Sequence, residues 1–388
     1  MFEPRLIFFL LWVSQIIGYL LFGGVFSSFD LVTWGIVLVA MISFFAGGKL
    51  GSHLPISSRI YNAKKQYNEH AIRRFAYLSL FIYLIACAVA ISKLYGVLTI
   101  ATGGDLSPSI IRQVIIFDFL GPREIFNVLR IFYFGVGFCI YLLAYARFFS
   151  KKEIFFIFLI GLASAVSTTG RLYLLLFFLA SAALLYRQKM ISRKLVLGAG
   201  VGFIALFFLV AIILKKGSGD VESIFEQIVW NAQVYILSSL ACFNNYVQTG
   251  SQSVPDGMLL PNVIREVINQ AFGTFIQLKP DLHPFAEVPI QCNTYTVIFP
   301  LYHDGNIFGV ILGLFGIGVF QRYIFRLHVL SKSPVIWYLF ALSLYPLIMT
   351  VFEDAYFSSP GFWMMLWLPL VMHIFFNKFF YRKNSVVY

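Results

Sequence analysis

The chain has 388 residues, of which 60% are hydrophobic and 12% are charged, and its mean hydropathy is +0.83. Soluble domains carry about twice this fraction of charged residues, so the composition excludes an ordinary soluble protein. We therefore predict an all-α polytopic membrane protein.

Uncharged runs of roughly 17–25 residues are long enough to cross a hydrocarbon core of about 30 Å as helices. Runs of this kind occupy Leu6–Gly23, Leu31–Gly48, Phe75–Ser92, Leu195–Leu214, Gly305–Gln321, Pro334–Phe352 and Ala355–Asn377. Another run, Ile131–Ala146, is bounded by two arginines whose aliphatic stems extend it. The stretch Ile154–Tyr186 contains one charge, Arg171, and we predict that it folds back as a hairpin of two helices. The prediction is thus about ten transmembrane helices in a single integral membrane domain over residues 1–388.

The positive-inside rule fixes the orientation of these helices. Placing both termini in the cytoplasm puts 20 of the 29 Lys and Arg residues, but only 3 of the 17 Asp and Glu residues, on the inner side. The net charge of +12 therefore reflects membrane topology and gives no reason to expect a nucleic-acid partner.

The largest connection is the outer segment of residues 215–304, inserted between the seventh and eighth predicted helices. Its aromatic content is too high for a disordered linker. Helical spacing of Val221, Phe225, Ile228, Ala232, Tyr235 and Ser239 predicts an amphipathic helix on the outer leaflet. A second helix is predicted to begin at Pro261.

Arg171 lies in the turn of the predicted hairpin, in the sequence Thr168-Thr169-Gly170-Arg171. A charge at membrane depth is costly, so it needs a partner or a cavity. Each arm has about 16 residues, roughly 24 Å of helix, which places the turn just below the outer surface. At that depth arginine suits the phosphate of a lipid-linked substrate. Snorkelling to ordinary headgroups is the alternative interpretation.

Two further arginines, Arg112 and Arg265, lie in otherwise apolar outer segments. With Arg171 they are candidates to clamp a pyrophosphate, and the Thr169 hydroxyl is a further donor. Taken singly, each arginine is better explained as a lipid-headgroup contact.

Polar residues gather where the outer segment leads into an apolar helix, in the stretch Gln291–Gly309. Asn293 and Tyr302 are typical of sugar binding, and His303 with Asp304 could accept or orient a proton. The alternative is a capped helix start, since a carboxylate near a helix N-terminus is favoured by the helix dipole.

The paired carboxylates Glu353 and Asp354 also fall on the outer side, where the alternatives are that they contact sugar hydroxyls, bind a cation or cap a solvent-exposed turn, of which we favour the turn. No Asp-x-Asp, His-x-x-x-His or Cys-x-x-Cys motif occurs, so we expect no metal site and no cofactor.

Cys87 and Cys139 lie in apolar spans. We expect Cys242 and Cys292 to be free thiols, with a disulfide as the alternative.

The hairpin with Thr-Gly-Arg, the long outer loop, and the stretch from Asn293 to Gly309 opening a Gly-rich span resemble the Wzy-type O-antigen polymerases. The resemblance implies a metal-independent glycosyltransferase of the GT-C superfamily, in the branch shared with O-antigen ligase. Such enzymes of lipopolysaccharide biosynthesis act at the periplasmic face of the bacterial inner membrane.

The expected reaction transfers a growing glycan from undecaprenyl pyrophosphate to the terminal sugar of a lipid-linked repeat unit. The partners implied are the lipid-linked donor and acceptor, membrane lipids and a chain-length regulator. The main alternative is a lipid-linked oligosaccharide flippase, although transporters tend to have repeated halves and ionisable groups at the bilayer midplane.

Overall fold

The computed structural model describes residues 3–26, 28–57, 68–104, 124–168, 171–202, 224–250, 257–277, 286–288, 291–357 and 360–380. The chain divides into two compact units. The first comprises 1–57, 201–331 and 342–360, and the second comprises 58–200, 332–341 and 361–388.

The described residues are almost entirely helical, as predicted. The helices are α1 (Pro4–Phe22), α2 (Leu31–His53), α3 (Glu69–Thr102), α4 (Glu124–Ala144), α5 (Lys151–Ser167), α6 (Arg171–Arg187), α7 (Ile224–Thr249), α8 (Asn262–Phe272), α9 (Ile298–Leu330), α10 (Pro334–Met349) and α11 (Pro360–Phe380). A further helix runs over 193–202. Strands β1 (Ala286–Glu287) and β2 (Gln291–Cys292) form a small antiparallel hairpin in which Ala286 pairs with Cys292.

Within the described ranges, α1, α2, α3 and α9 are long and apolar enough to cross a membrane, and residues 128–144, 172–187 and 334–349 are shorter apolar helices. The chain is thus an all-α membrane protein. Part of the predicted span Leu195–Leu214 lies outside the described residues, so the number of ten spans stays a prediction.

Glycines bring α2 and α9 into backbone contact in the first unit. A methyl group at Gly47 would overlap the carbonyl oxygen of Phe315, and one at Gly318 would overlap that of Phe44. Small residues at a helix crossing allow this approach in membranes, where apolar side chains gain nothing by leaving lipid. At one end the crossing is fastened by the Arg322 guanidinium, which donates to the Ser52 hydroxyl of α2 at 2.9 Å and also pairs with Glu3, before α1, at 2.8 Å.

Helix α1 is tied to the same core through Gln15, which is fully buried. Its side-chain amide donates to the carbonyl oxygens of Ile236 and Val351 at 2.8 and 2.9 Å. Ser239 of α7 donates to the same Val351 oxygen. The Val351 carbonyl, in the segment after α10, is therefore bonded by side chains of both α1 and α7.

The second half of helix α7 is buried in the first unit. Residues 237–244 are buried on all sides, and Asn244 donates to the Ser28 carbonyl and accepts from the Asp30 amide. A helical segment buried around its whole circumference packs inside a protein. Of the six residues whose spacing predicts a surface helix, the structure describes the side chain of Ser239 alone, so the amphipathic helix stays a prediction for the first half of α7.

The second unit is organised around α4, whose residues 136–144 are all buried. Gly135 accommodates the ring of Tyr83 from α3, and Gly161 of α5 accommodates the ring of Phe177 from α6. The Tyr83 hydroxyl also shares a hydrogen bond of 2.6 Å with Ser164. These contacts hold α3 and the α5–α6 hairpin against α4.

Cys242 of α7 and Cys292 of β2 form a disulfide, with their Cα atoms 6.8 Å apart. The prediction of two free thiols was therefore wrong, because the fold brings together two cysteines 50 positions apart in the sequence. Cys87 and Cys139 are free. A disulfide also fits an oxidising compartment for the insertion.

Removing this bridge with Cys242→Ser and Cys292→Ser together should lower the free energy of unfolding by about 3 kcal/mol, because the unfolded chain regains the entropy of an open loop. The thermal denaturation midpoint of the detergent-solubilised protein measures the loss. Cys87→Ser removes a cysteine outside the bridge and serves as the control. An unchanged midpoint in the double variant would contradict a stabilising role.

Candidate functional site

The predicted hairpin turn carrying Arg171 is present in the second unit. Helix α5 ends at Ser167 and α6 begins at Arg171, and each arm has 17 residues, against the 16 expected. At 1.5 Å per residue each arm is about 25 Å long. The turn therefore caps two helices slightly shorter than a hydrocarbon core is thick.

Arg171 is the first residue of α6, where the exposed amides of a helix N-terminus favour an anion. Thr168 is buried and donates its hydroxyl to the Ala165 carbonyl at 2.6 Å, so that hydroxyl closes the end of α5. The Arg171 side chain, Thr169 and Arg112 lie outside the described residues. Their predicted phosphate contacts remain predictions.

Arg265 is on α8 in the first unit and has no exposed surface. Its guanidinium donates to the carbonyls of Leu260 at 2.9 Å and Gln277 at 2.6 Å, and also to that of Gly257. These bonds join the turn before α8 to the segment after it. In this conformation the side chain is a structural brace, and pyrophosphate would reach it only if the loop opened.

His303 is half-buried in the first part of α9, and its Nδ1 forms a hydrogen bond of 2.7 Å with the hydroxyl of Tyr246 on α7. Its Nε2 is buried and has no hydrogen-bond partner among the described residues. When Nδ1–H donates to the phenol oxygen, Nε2 carries a lone pair and is able to accept a proton. Burial, Tyr302 and Asp304 all raise the pKa of the Tyr246 phenol, which keeps it neutral.

Asp304 is exposed, and its two carboxylate oxygens accept hydrogen bonds of 2.7 Å from the amides of Met258 and Leu259. Asp304 therefore stabilises the turn before α8. The alternative predicted from sequence was that it caps the start of its own helix, and these bonds are made elsewhere. The neighbouring His303 does not bond to it. His303 is oriented instead by Tyr246, a residue 57 positions earlier in the chain.

Helix α9 is interrupted at Asn306, whose backbone has φ +48° and ψ −145°. Residues other than glycine rarely adopt this conformation, at a cost on the order of 1–3 kcal/mol. The chain folds back here, so that a methyl group at Gly309 would overlap the Leu301 carbonyl oxygen. The kink separates the short helix bearing Tyr302, His303 and Asp304 from the longer apolar part of α9.

The segment after α10 lies beside the beginning of α9, because the Val297 amide donates to the Thr350 carbonyl at 3.0 Å. Asp354 is buried, and one of its oxygens accepts from the amides of Tyr356 and Phe357, each at 3.0 Å. This geometry fits the predicted turn cap. Asn293 is half-buried and also precedes α9.

Glu353 is the adjacent carboxylate, and its Oε1 lies 3.5 Å from the Tyr345 hydroxyl. Burial, helped by the negative charge of Asp354, raises the pKa of Glu353 to about 7. Glu353 is thus a second group able to exchange a proton near neutral pH. Among the described residues no group of three or more His, Cys, Asp and Glu is placed to hold a metal ion.

The raised pKa of Glu353 predicts how stability depends on pH. Below the unfolded pKa of 4.5 the carboxyl is protonated in both states, whereas above about 7 the folded state carries an unfavourably buried charge. Glu353→Gln should therefore be more stable than the unmodified protein at pH 8, by about 2 kcal/mol, with the difference shrinking towards pH 5. Thermal denaturation at both pH values measures it.

The exposed Glu287 provides the matched control, since Glu287→Gln removes the same charge without burial. Its effect on the denaturation midpoint should be equally small at pH 5 and pH 8. A Glu353→Gln variant that is less stable at pH 8 than at pH 5, relative to the unmodified protein, would contradict the prediction.

The protein is an all-α membrane protein with a polar site at the start of α9, where histidine and carboxylate side chains are concentrated. Over 226 residues the chain is 29% identical to a protein named O-antigen polymerase from Shigella dysenteriae. The match covers 57% of this chain and 55% of that protein, so the chain spans about half the length of the relative. No protein-family model and no solved structure matches. The resemblance to O-antigen polymerases is confirmed by this relative.

Proposed function

We propose that the protein is a glycosyltransferase that polymerises O-antigen repeat units. The similarity to the O-antigen polymerase of Shigella dysenteriae carries this proposal. The donor is a growing glycan on undecaprenyl pyrophosphate, and the acceptor is a lipid-linked repeat unit. The site faces the periplasm, with both termini in the cytoplasm and the protein in the bacterial inner membrane. A GT-C-like fold and a chain-length regulator as partner belong to the same proposal.

The proposed reaction is a single displacement that inverts the anomeric carbon. The acceptor hydroxyl oxygen forms a bond to that carbon while the bond from the carbon to the pyrophosphate oxygen breaks. The electron pair leaves with the pyrophosphate, and the hydroxyl proton passes to a base on the protein. The protein must therefore bind a growing negative charge, align the hydroxyl and accept a proton.

Arg171 is proposed to bind the pyrophosphate, with Arg112 and Thr169 as further donors. The first residue of a helix is a favourable place for this, because the guanidinium fork and the helix amides both donate to an anion. Arg265 would join them only after releasing its three carbonyl partners.

His303 is proposed as the proton acceptor, through the buried Nε2 that has no partner among the described residues. Tyr246 is proposed as the residue that positions it, by accepting the Nδ1 proton. Asp304 shapes the adjoining turn. Glu353 is the second candidate base, because its pKa of about 7 gives it the required protonation equilibrium. Asn293, Tyr302 and Asp354 are proposed to contact the glycan.

Purified protein supplied only with lipid-linked repeat units and a chelator tests both the reaction and its independence from metal. We expect a ladder of polymers by gel electrophoresis, and a His303→Gln variant should lose about 100-fold in rate. No polymer in the chelator, with activity restored by a divalent cation, would overturn metal independence. No polymer under either condition would overturn the proposed function.

A further inference from the structure

Helix α8 has its apolar residues on the outside. Ile264, Val267 and Phe272 are 45%, 58% and 76% exposed, and Phe275 just beyond the helix is 95% exposed. On a helical wheel Ile264, Val267, Ile268, Ala271 and Phe272 occupy one continuous arc. This arc contains no charged or polar side chain. We refer to these five residues and Phe275 as the α8 apolar face.

Two polar residues of the same helix, Arg265 and Asn269, are instead bonded to the protein. Arg265 is fully buried on three carbonyls, as described above. Asn269 donates to the Ile276 carbonyl at 2.9 Å and accepts from the Ile276 amide at 2.7 Å. These two bonds fix the turn after α8, which carries the exposed Phe275. An arrangement with polar groups inside and apolar groups outside is unfavourable in water.

The position of α8 along the membrane follows from its attachment to α9. Asp304 of α9 binds the amides of Met258 and Leu259, and α8 begins three residues later at Asn262. Past the kink at Asn306, four residues beyond Asp304, α9 exposes Phe308 and, a turn later, Leu312, which are 72% and 70% exposed. Because α9 is long and apolar enough to cross a membrane, this row marks where its lipid-facing surface begins. The turn before α8 is therefore attached four residues before that surface begins.

We propose that the α8 apolar face lies in the outer leaflet, in contact with phospholipid acyl chains at the headgroup boundary. Amphipathic helices bind there with their apolar side buried about 5–10 Å below the headgroups. The occupant is lipid because the face has no charge and its helix is attached four residues before the lipid-facing row of α9 begins. Because Arg265 is buried and bonded to protein carbonyls, it does not contact headgroups. The contact therefore depends on burial of apolar surface and should not change with headgroup charge. The face thereby anchors the outer segment of residues 215–304 to the bilayer, whatever reaction the protein performs.

Photocrosslinking of the full-length protein in lipid nanodiscs tests this contact. The photoreactive residue p-benzoylphenylalanine replaces Phe275 or Val267, both of which are exposed, and adducts are identified by mass spectrometry. Gln270, exposed on the polar side of the same helix, is the matched control position. We expect phospholipid adducts at Phe275 and Val267 roughly fivefold above those at Gln270. The yield should be the same in zwitterionic and anionic lipid.

Adducts to a second copy of the chain at Phe275 and Val267, in place of lipid, would show that the face is a protein interface and would overturn the proposal. Equal lipid yields at Gln270 would do the same, because the helix would then have no preferred side. A yield that depends on anionic lipid would overturn the apolar mode of binding. None of these results depends on glycosyltransferase activity, so a failed anchor and a failed enzyme are distinguished.

Discussion

Replacement of Gly47 by leucine should prevent α2 from packing on α9 and lower the free energy of unfolding by about 3 kcal/mol or more. Even the first added carbon would overlap the carbonyl oxygen of Phe315, and backbone cannot move aside as a flexible side chain does. The helices would have to separate along their whole crossing. The yield of monodisperse protein by size-exclusion chromatography, and its thermal denaturation midpoint, measure the effect.

Gly35 is the matched control, since it lies in the same helix but a methyl group there meets no atom within 4 Å. Gly35→Leu adds the same side chain at an exposed position and should leave yield and midpoint nearly unchanged. If both variants fold equally well, close packing at Gly47 does not stabilise the protein.

Arg171→Ala should reduce polymer formation about 100-fold or more, because the pyrophosphate then leaves without its proposed cationic partner. In cells lacking their own copy of the protein, the variant should give single repeat units in place of a ladder of long surface glycans. Gel electrophoresis of the extracted lipopolysaccharide measures the chain-length distribution, and immunoblotting of membranes establishes that the variant is inserted.

Arg193→Ala removes an arginine from an exposed position and serves as the control, which should leave the ladder normal. A normal ladder in a stably inserted Arg171→Ala variant would remove the proposed phosphate role. Absence of any repeat unit on the cell surface would instead favour the flippase, because a transport defect supplies no unit to attach.

The helices were predictable because the thickness of the bilayer dictates the length of apolar runs. The prediction Leu31–Gly48 corresponds to α2, and the hairpin within Ile154–Tyr186 corresponds to α5 and α6. The prediction Gly305–Gln321 covers only part of α9, which begins at Ile298. Its first residues are apolar, but His303 and Asp304 interrupt the uncharged run and the chain folds back at Asn306.

The contacts of the site were not predictable to the same degree. Tyr246 and His303 are 57 positions apart, and only the packing of α7 on α9 joins them. A clue existed in Asn244 and Asn245, since two adjacent amide side chains just before a tyrosine indicate contacts with other protein segments. Arg265 looked like an anion ligand from sequence, because the carbonyls that surround it come from turns whose shape residue types do not reveal.

The bond between Cys242 and Cys292 makes a covalent ring of the intervening chain, which includes α8 and both strands. A protease that cuts the backbone once inside this ring leaves the two fragments joined, so they migrate together until a reductant separates them. Nicked molecules therefore keep α9 fastened to α7, and damage to the exposed part of the insertion does not by itself release half of the protein.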